Sequence, residues 1–231
     1  MVKKQNQTDL RRVKNDKKDS RLIRFCLTRG AGYEFNNDPE AIILKSLVRQ
    51  RDSLVSARLK VDRQQNDIRH KEKCLKQSIN PVYQELAHVL RGKIAEIEKD
   101  LKLYRPSEQR LLQSIPGVGP ITAASFISEV GDINRFKKPK QLAAYAGLDP
   151  RVFESGASIK GKGYITKRGS KILRTRLYNA ASVAVLHDNM FKDFFQKKRS
   201  EGKPYKVALV ATMRKMIHVI HAVWTRGTPF K

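Results

Sequence analysis

Acidic residues and cysteines are both scarce in this chain. Asp and Glu number 22 against 48 Lys and Arg, a formal net charge of +26 over 231 residues. That deficit excludes the mixed-sign surface of an ordinary solvated protein. A surface this positive gathers counter-ions and attracts polyanions before any specific contact forms. Nucleic acid is the commonest such partner, because neutralising phosphates releases condensed cations. A ribosome-associated or membrane-surface protein is the other class the charge admits. Cys26 and Cys74 are the only cysteines, with no CxxC pair and no Cys/His cluster. This argues against a disulfide framework or a zinc site and suits a reducing, intracellular compartment. His70, His88, His187, His218 and His221 lie on helical stretches without ligand spacing and read as ordinary helix residues. No run of about 18 apolar residues appears, which argues against a membrane span. The basic start, MVKKQNQTDLRRVKNDKKDS, lacks the apolar region of a secretory signal.

What is present is mostly α-helical. Hydrophobic residues make up 40% of the chain, enough for one sizeable core or two modest ones. Residues 1–20 are too polar to build a core. SRLIRFCLTR at 20–29 reads as a short amphipathic helix ended by Gly30. From Glu40 to Gln77 there is no Gly or Pro, and Leu44, Leu47, Leu54 and Val61 recur at helical intervals, interrupted by Arg51 and Arg58. After Asn80-Pro81 a second helix carries a near-heptad seam of Leu86, Leu90, Ile94, Ile97 and Leu101. Two long helices joined by a Pro turn should pack as an antiparallel hairpin or dimerise. Composition shifts after Arg105-Pro106. Short helices punctuated by Gly and Pro run to Pro150, followed by a Gly- and Lys-rich loop over 151–169. Two amphipathic helices close the chain. One, at 170–187, carries Leu173, Leu177, Ala180, Ala181 and Ala184 on one face; the other, at 204–225, carries Leu209, Met213, Met216, Ile220 and Trp224.

Three features point to chemistry. The first is Ile115-Pro116-Gly117-Val118-Gly119-Pro120. Gly117 and Gly119 allow a tight turn with outward-facing amides, and a helix starting at Pro120 aims its dipole at the same point, which suits a phosphate. The arrangement over 108–130 resembles a helix-hairpin-helix, and a plain helix–helix turn that needs glycines is the other reading. The second is the tract from Ser155 to Arg176, with Lys160, Lys162, Lys167, Arg168, Lys171, Arg174 and Arg176 and no carboxylate. Lys171, Arg174 and Tyr178 share one helical face opposite Leu173 and Leu177, a cationic side suited to tracking a nucleic-acid backbone. Ser170 reads as a helix cap. Ser155, beside Gly156 in the loop, has no capping role, and a hydroxyl there among cations could serve as a nucleophile or as an ordinary loop residue. The third is Asp16 and Asp19, three apart among lysines. They read as surface ion pairs or as paired Mg²⁺ ligands, since hard cations take carboxylate oxygens.

The ordered set is KNDKKDSRLI, a helical hairpin, LLQSIPGVGPITAASFISEVGDINRF, QLAAYAGLDP, ESG and KRGSKILRTRLYNAA. It resembles the insertion-sequence one-ten family of transposases, over essentially the whole chain and closely from 108 to 226. The resemblance implies an RNA-guided DNA recombinase with an N-terminal RuvC-like α/β domain and a C-terminal serine domain. Residues 1–38 would be the residual end of the RuvC-like domain, 39–105 a coiled-coil-like hairpin, and 106–231 the transposase domain. It also implies that Ser155 is the nucleophile, forming a transient phosphoserine link to DNA. Asp16 and Asp19 would be the last two of four acidic ligands for catalytic Mg²⁺. The chain would act on DNA with a guide RNA, as a homo-oligomer (dimer or tetramer), in a bacterial or archaeal cytoplasm at the nucleoid. The family pattern has two further acidic ligands ahead of Asp16, and they have no counterpart here. Glu34 and Glu40 follow the motif, and Met1 stands 15 residues before Asp16. The expectation is therefore an N-terminally truncated transposase that moves an insertion sequence by strand cleavage and exchange. An inactive remnant that only binds DNA or RNA is the alternative, and a structural RNA-binding protein of translation is a more distant one.

Overall fold

The computed structural model describes residues 16–28, 38–68, 73–149, 154–155, 159–160 and 165–230. Its contacts divide the chain into residues 1–38 and 39–231. In the first unit, helix α1 spans Asp16–Thr28, so the helix expected from Ser20 begins four residues earlier. Asp16 and Asp19 stand in its first turn, where negative charge favours the helix dipole.

The second unit opens with α2 (Pro39–Ile68) and α3 (Lys73–Leu101). Arg51 meets Glu98 at 2.8 Å, and Gln65 meets Asn80 at 2.9 Å. Contacts that pair early with late residues in this way mean that the helices run antiparallel. The connection is not at Pro81, as the sequence suggests. Pro81 sits inside α3, and residues 69–72 between the two helices lie outside the described residues. A proline within a helix forfeits one backbone hydrogen bond and bends the axis, which a helix braced along its length by a neighbour can absorb.

The seam between the two helices differs from the apolar stripe expected of it. Ala87, Ile94 and Leu101 are buried on α3, whereas Leu86 is 44% exposed. On α2 the buried positions include Leu44, Val48 and Val61. Arg51, which looks like an interruption in sequence, pairs across the contact with Glu98, whereas Arg58 pairs within α2 with Asp62. Long guanidinium stems cover apolar surface while their heads reach carboxylates, so this interface is partly ionic.

Arg105 turns the chain with a left-handed φ of 48°, and α4 (Pro106–Gln113) begins at the next residue. Gln109 is buried at this corner, where its Nε2 donates to the carbonyls of Leu101 (2.6 Å) and Tyr104 (2.7 Å). These bonds satisfy carbonyls orphaned at the end of α3. Then follow α5 (Pro120–Val130), a 3-10 turn at Ile133–Arg135, α6 (Pro139–Tyr145), and strands β1 (Glu154–Ser155) and β2 (Ile159–Lys160). The chain ends in α7 (Lys171–His187), α8 (Asn189–Ser200) and α9 (Tyr205–Arg226).

One core joins α5, α7 and α9 to Leu44 and Val48 of α2 and Leu101 of α3. Every apolar residue that periodicity assigns to the inner faces of α7 and α9 is buried, from Leu173 to Ala184 and from Leu209 to Trp224. Length and composition alone would let α9 cross a bilayer, but half of that stretch is buried in the protein. The segment α8, which sequence periodicity does not single out, starts at Asp188, whose carboxylate accepts the Phe191 amide at 3.0 Å.

Candidate nucleic-acid interface

The site is built around a clasp at the base of the Gly- and Lys-rich loop. After α6 the chain reaches Gly147, with φ +72°, and the returning strand lies along it. Thr166 donates to Asp149 O (2.8 Å), Lys167 to Gly147 O (3.1 Å) and Ser170 to Tyr145 O (3.0 Å). The two segments approach too closely for side chains. A Cβ at Gly169 would lie 2.0 Å from the Tyr145 carbonyl, and one at Gly147 would lie 2.6 Å from the Gly169 nitrogen. Close backbone approach of this kind is what glycine permits.

Side chains tighten the clasp from below. Ser170 caps α7 by accepting the Leu173 amide at 3.3 Å, as the sequence predicts, and its hydroxyl also donates to Glu129 Oε2 at 2.9 Å. The Glu129 backbone carbonyl accepts the Tyr145 hydroxyl at 2.8 Å. Its side chain is only 9% exposed, with Arg49 of α2 3.8 Å away. Glu129 therefore ties both edges of the clasp to α5. Nothing in its sequence context marks it, because its partners lie 16 and 41 residues away.

Two of the cations assigned to phosphate contact have other partners. Arg174 points its Nη1 into the clasp, donating to Ala146 O (3.1 Å) and Gly169 O (2.9 Å). Arg176 pairs with Asp52 of α2 and donates through Nε to Ser125 Oγ at 3.0 Å. The tract lacks a carboxylate in sequence, yet the fold delivers one from 124 residues away. Lys167, Arg168 and Lys171 are exposed. Lys167 is held at a left-handed φ of 51°, a conformation that disfavours a side chain by about 1 kcal/mol. The clasp hydrogen bonds to Gly147 and Asp149 keep it there.

Within the loop, β1 and β2 pair antiparallel, with Glu154 opposite Lys160 and Ser155 opposite Ile159. Ser155 thus stands in a two-stranded ribbon whose return path leads to Lys167 and Arg168. Lys162 lies outside the described residues.

The glycines of the IPGVGP turn divide into two roles. Gly117 has φ +82°, and a Cβ there would sit 2.1 Å from the Ala180 carbonyl, so it fits α4–α5 against α7. Gly119 is exposed, with nothing within 4 Å of a built Cβ, and it precedes the first turn of α5. The start of α5 opens on a cavity of about 310 Å³ that Lys99 and Lys102 also line. Unpaired amides at a helix start beside two ammonium groups suit an anion. Position 180 lies about half a revolution of α7 from position 171. The turn and the Lys171 end of the tract therefore occupy opposite sides of that helix.

The four-carboxylate Mg²⁺ site implied by the resemblance is not met by Asp16 and Asp19 alone. Among the described residues no cluster of three or more His, Cys, Asp or Glu side chains could hold a metal ion.

Comparison with known proteins falls on this region. Residues 109–196 match the model described as Transposase IS116/IS110/IS902 family. The transposase for insertion sequence element IS1111A of Coxiella burnetii is 34% identical over 162 residues, covering 68% of this chain and 44% of that protein. The pilin gene-inverting protein of Moraxella lacunata is 36% identical over 128 residues, 55% of this chain and 39% of that protein. The transposase for insertion sequence element IS1328 of Yersinia enterocolitica is 39% identical over 93 residues, 39% of this chain and 27% of that protein. The chain thus spans less than half the length of each of these relatives. The segment that folds α4 to α8 and frames the clasp thus matches the IS116/IS110/IS902 transposase family.

Proposed function

We propose that this chain acts in DNA transposition, with Ser155 as the nucleophile for strand cleavage and exchange. Similar proteins are named as transposases and as a gene-inverting protein, and both activities rearrange DNA. What supports the serine assignment is that Ser155 stands in the backbone ribbon of the same loop that the glycine clasp closes, with Lys167, Arg168 and Lys171 exposed at that closure. In this reading the Ser155 hydroxyl loses its proton and attacks a phosphodiester. A serine Oγ–phosphorus bond forms, the bond to one sugar oxygen breaks, and that oxygen leaves as a hydroxyl carrying a proton. The hydroxyl of a new strand then displaces serine, which regains its proton. The nearby cations stabilise charge on the non-bridging oxygens.

Lys160, Lys162 and the amides at Gly119 extend the proposed grip on backbone phosphates, with Gly117 setting the turn. Guide RNA and further copies of the chain belong to the same proposal, supported by the +26 charge and the family match. Asp16 and Asp19 are offered as two ligands of a Mg²⁺ site that needs further carboxylates, and no step is derived through it.

The test is a covalent trap. The protein, combined with labelled donor DNA and transcripts from the flanks of its element, is expected to form a protein–DNA adduct stable to denaturant. Ser155→Ala should abolish the adduct and leave binding intact. An adduct that persists in Ser155→Ala overturns the assignment and makes Ser170 the next serine to replace. Binding without any adduct in the unmodified chain favours a protein that grips nucleic acid and performs no chemistry.

A further inference from the structure

A second cationic surface lies away from the clasp, on the far part of the chain. Along α9, Arg214, His218 and His221 recur at intervals of four and three, so they share a face. His221 is buried, its Nε2 2.7 Å from the Phe136 carbonyl, which fixes α9 against the segment between the 3-10 turn and α6. That segment reads Arg135-Phe136-Lys137-Lys138-Pro139-Lys140, and Lys137, Lys138 and Lys140 are exposed.

Beside them runs a groove of about 410 Å³ between α8 and α9, lined by Phe194, Ala211, Arg214, Lys215 and His218. Lys215 donates to Met190 O at 3.3 Å and lies 4.8 Å from the Phe194 ring centre, so it forms the wall. Among the described residues no carboxylate pairs with Arg214, Lys137, Lys138 or Lys140, although five carboxylates elsewhere pair with arginine. Partial burial, with Arg214, His221 and Lys140 around it, holds the His218 imidazole below its ordinary pKa. Like charges crowded together at a groove with no counter-charge are the arrangement an anion relieves.

We propose that this face, through Arg214, His218 and Lys140, grips the phosphate backbone of a DNA duplex as a second contact surface distinct from the clasp. A duplex fits better than a single strand. Single strands are held by bases stacking on open aromatic faces, and here the groove's one aromatic ring, Phe194, is flanked by the ammonium groups of Lys215 and Lys198. A row of cations without a stacking platform contacts backbone and carries no sequence information. The choice of DNA over RNA rests on the transposition reading above. The charge and geometry do not, since Arg214 and His218 lie beyond the family-matched stretch of 109–196.

The test uses the full chain, a fluorescein-labelled DNA duplex of mixed sequence, and anisotropy titrations over a range of salt. Replacing Arg214, His218 and Lys140 by Gln together should lower the slope of log affinity against log salt by about 0.9 per lost cationic contact, roughly 1.8 at neutral pH from Arg214 and Lys140, with His218 contacting phosphate as an uncharged hydrogen-bond donor. A charge-keeping Arg214→Lys variant should hold the original slope. An unchanged slope in the triple variant, with the parent still binding, overturns this proposal alone. Loss of slope in Arg214→Lys as well overturns it too, because packing and not charge would then matter. Weakened binding to duplex RNA with unchanged binding to duplex DNA overturns the choice of occupant. No salt-dependent binding of duplex DNA by the parent chain overturns the transposition reading and this proposal together.

Discussion

The helices α7 and α3 look alike in sequence and behave differently in the fold. Both show apolar residues at helical spacing. On α7 the assigned inner face from Leu173 to Ala184 is wholly buried, because it meets α5 and α9 across a dry core. On α3 the seam holds from Leu90 to Leu101 and departs at its start, where Ala87 is buried and Leu86 is 44% exposed. The partner there is α2, which meets α3 through the Arg51–Glu98 ion pair and the Gln65–Asn80 hydrogen bond as well as through apolar side chains. A small residue lets the backbones approach where ionic side chains must also fit, and the neighbouring leucine is pushed outward. Periodicity thus reports burial along all of the assigned face of α7 and misses it at one position of α3.

The sharpest way to break this comparison is to truncate both helices. Leu173→Ala, at a site with no exposure, should cost about 3 kcal/mol in chemical denaturation. Leu86→Ala should cost under about 0.5 kcal/mol. Similar losses at the two positions would mean that α3 is packed like α7. Next in size is Gly169→Ala in the clasp, where a methyl would meet the Tyr145 carbonyl. Roughly 2–3 kcal/mol should be lost, and DNA binding through Lys167 and Arg168 should weaken with it. Gly119→Ala, in open space, should leave the melting temperature nearly unchanged.

Arg176→Met tests the ionic side of the contrast. It leaves Asp52 without its α7 partner and should destabilise by about 1–2 kcal/mol. Asp52→Asn combined with Arg176→Met should recover part of that loss in a double-mutant cycle. The smallest effect concerns pH. The folded-state pKa of His218 is lowered, by burial first and then by Arg214, His221 and Lys140. The unfolded chain therefore takes up the proton more readily. The His218 contribution is intact above the unfolded pKa of about 6.5 and is lost as pH falls through the folded value. His218→Gln should flatten the decline in melting temperature between neutral and mildly acidic pH, and a bound DNA duplex should reverse its sign.

Much of the site is readable before folding. Ser170 precedes a long apolar-striped stretch and caps it, and the exposed cations at Lys167, Arg168 and Lys171 stand where the basic tract places them. Arg174 and Arg176 are not readable in the same way. Their charge is visible, but the Ala146 and Gly169 carbonyls and Asp52 that bind them come from distant segments. Gly117 and Gly119 look equivalent in IPGVGP and are not. One touches the Ala180 backbone and the other touches nothing, because only the first lies under α7.

The amino-acid sequence by itself determined the strong net positive charge, the helical character and the inner faces of α7 and α9. Those properties depend on residue counts and on spacings shorter than two helical turns. Tertiary structure alone decided which cations stay exposed and which brace the clasp. It also decided which of two glycines is a spacer, and that Glu129, unremarkable in sequence, joins Ser170 to Tyr145. Each of these depends on which distant segment arrives alongside, and chain spacing carries no record of that.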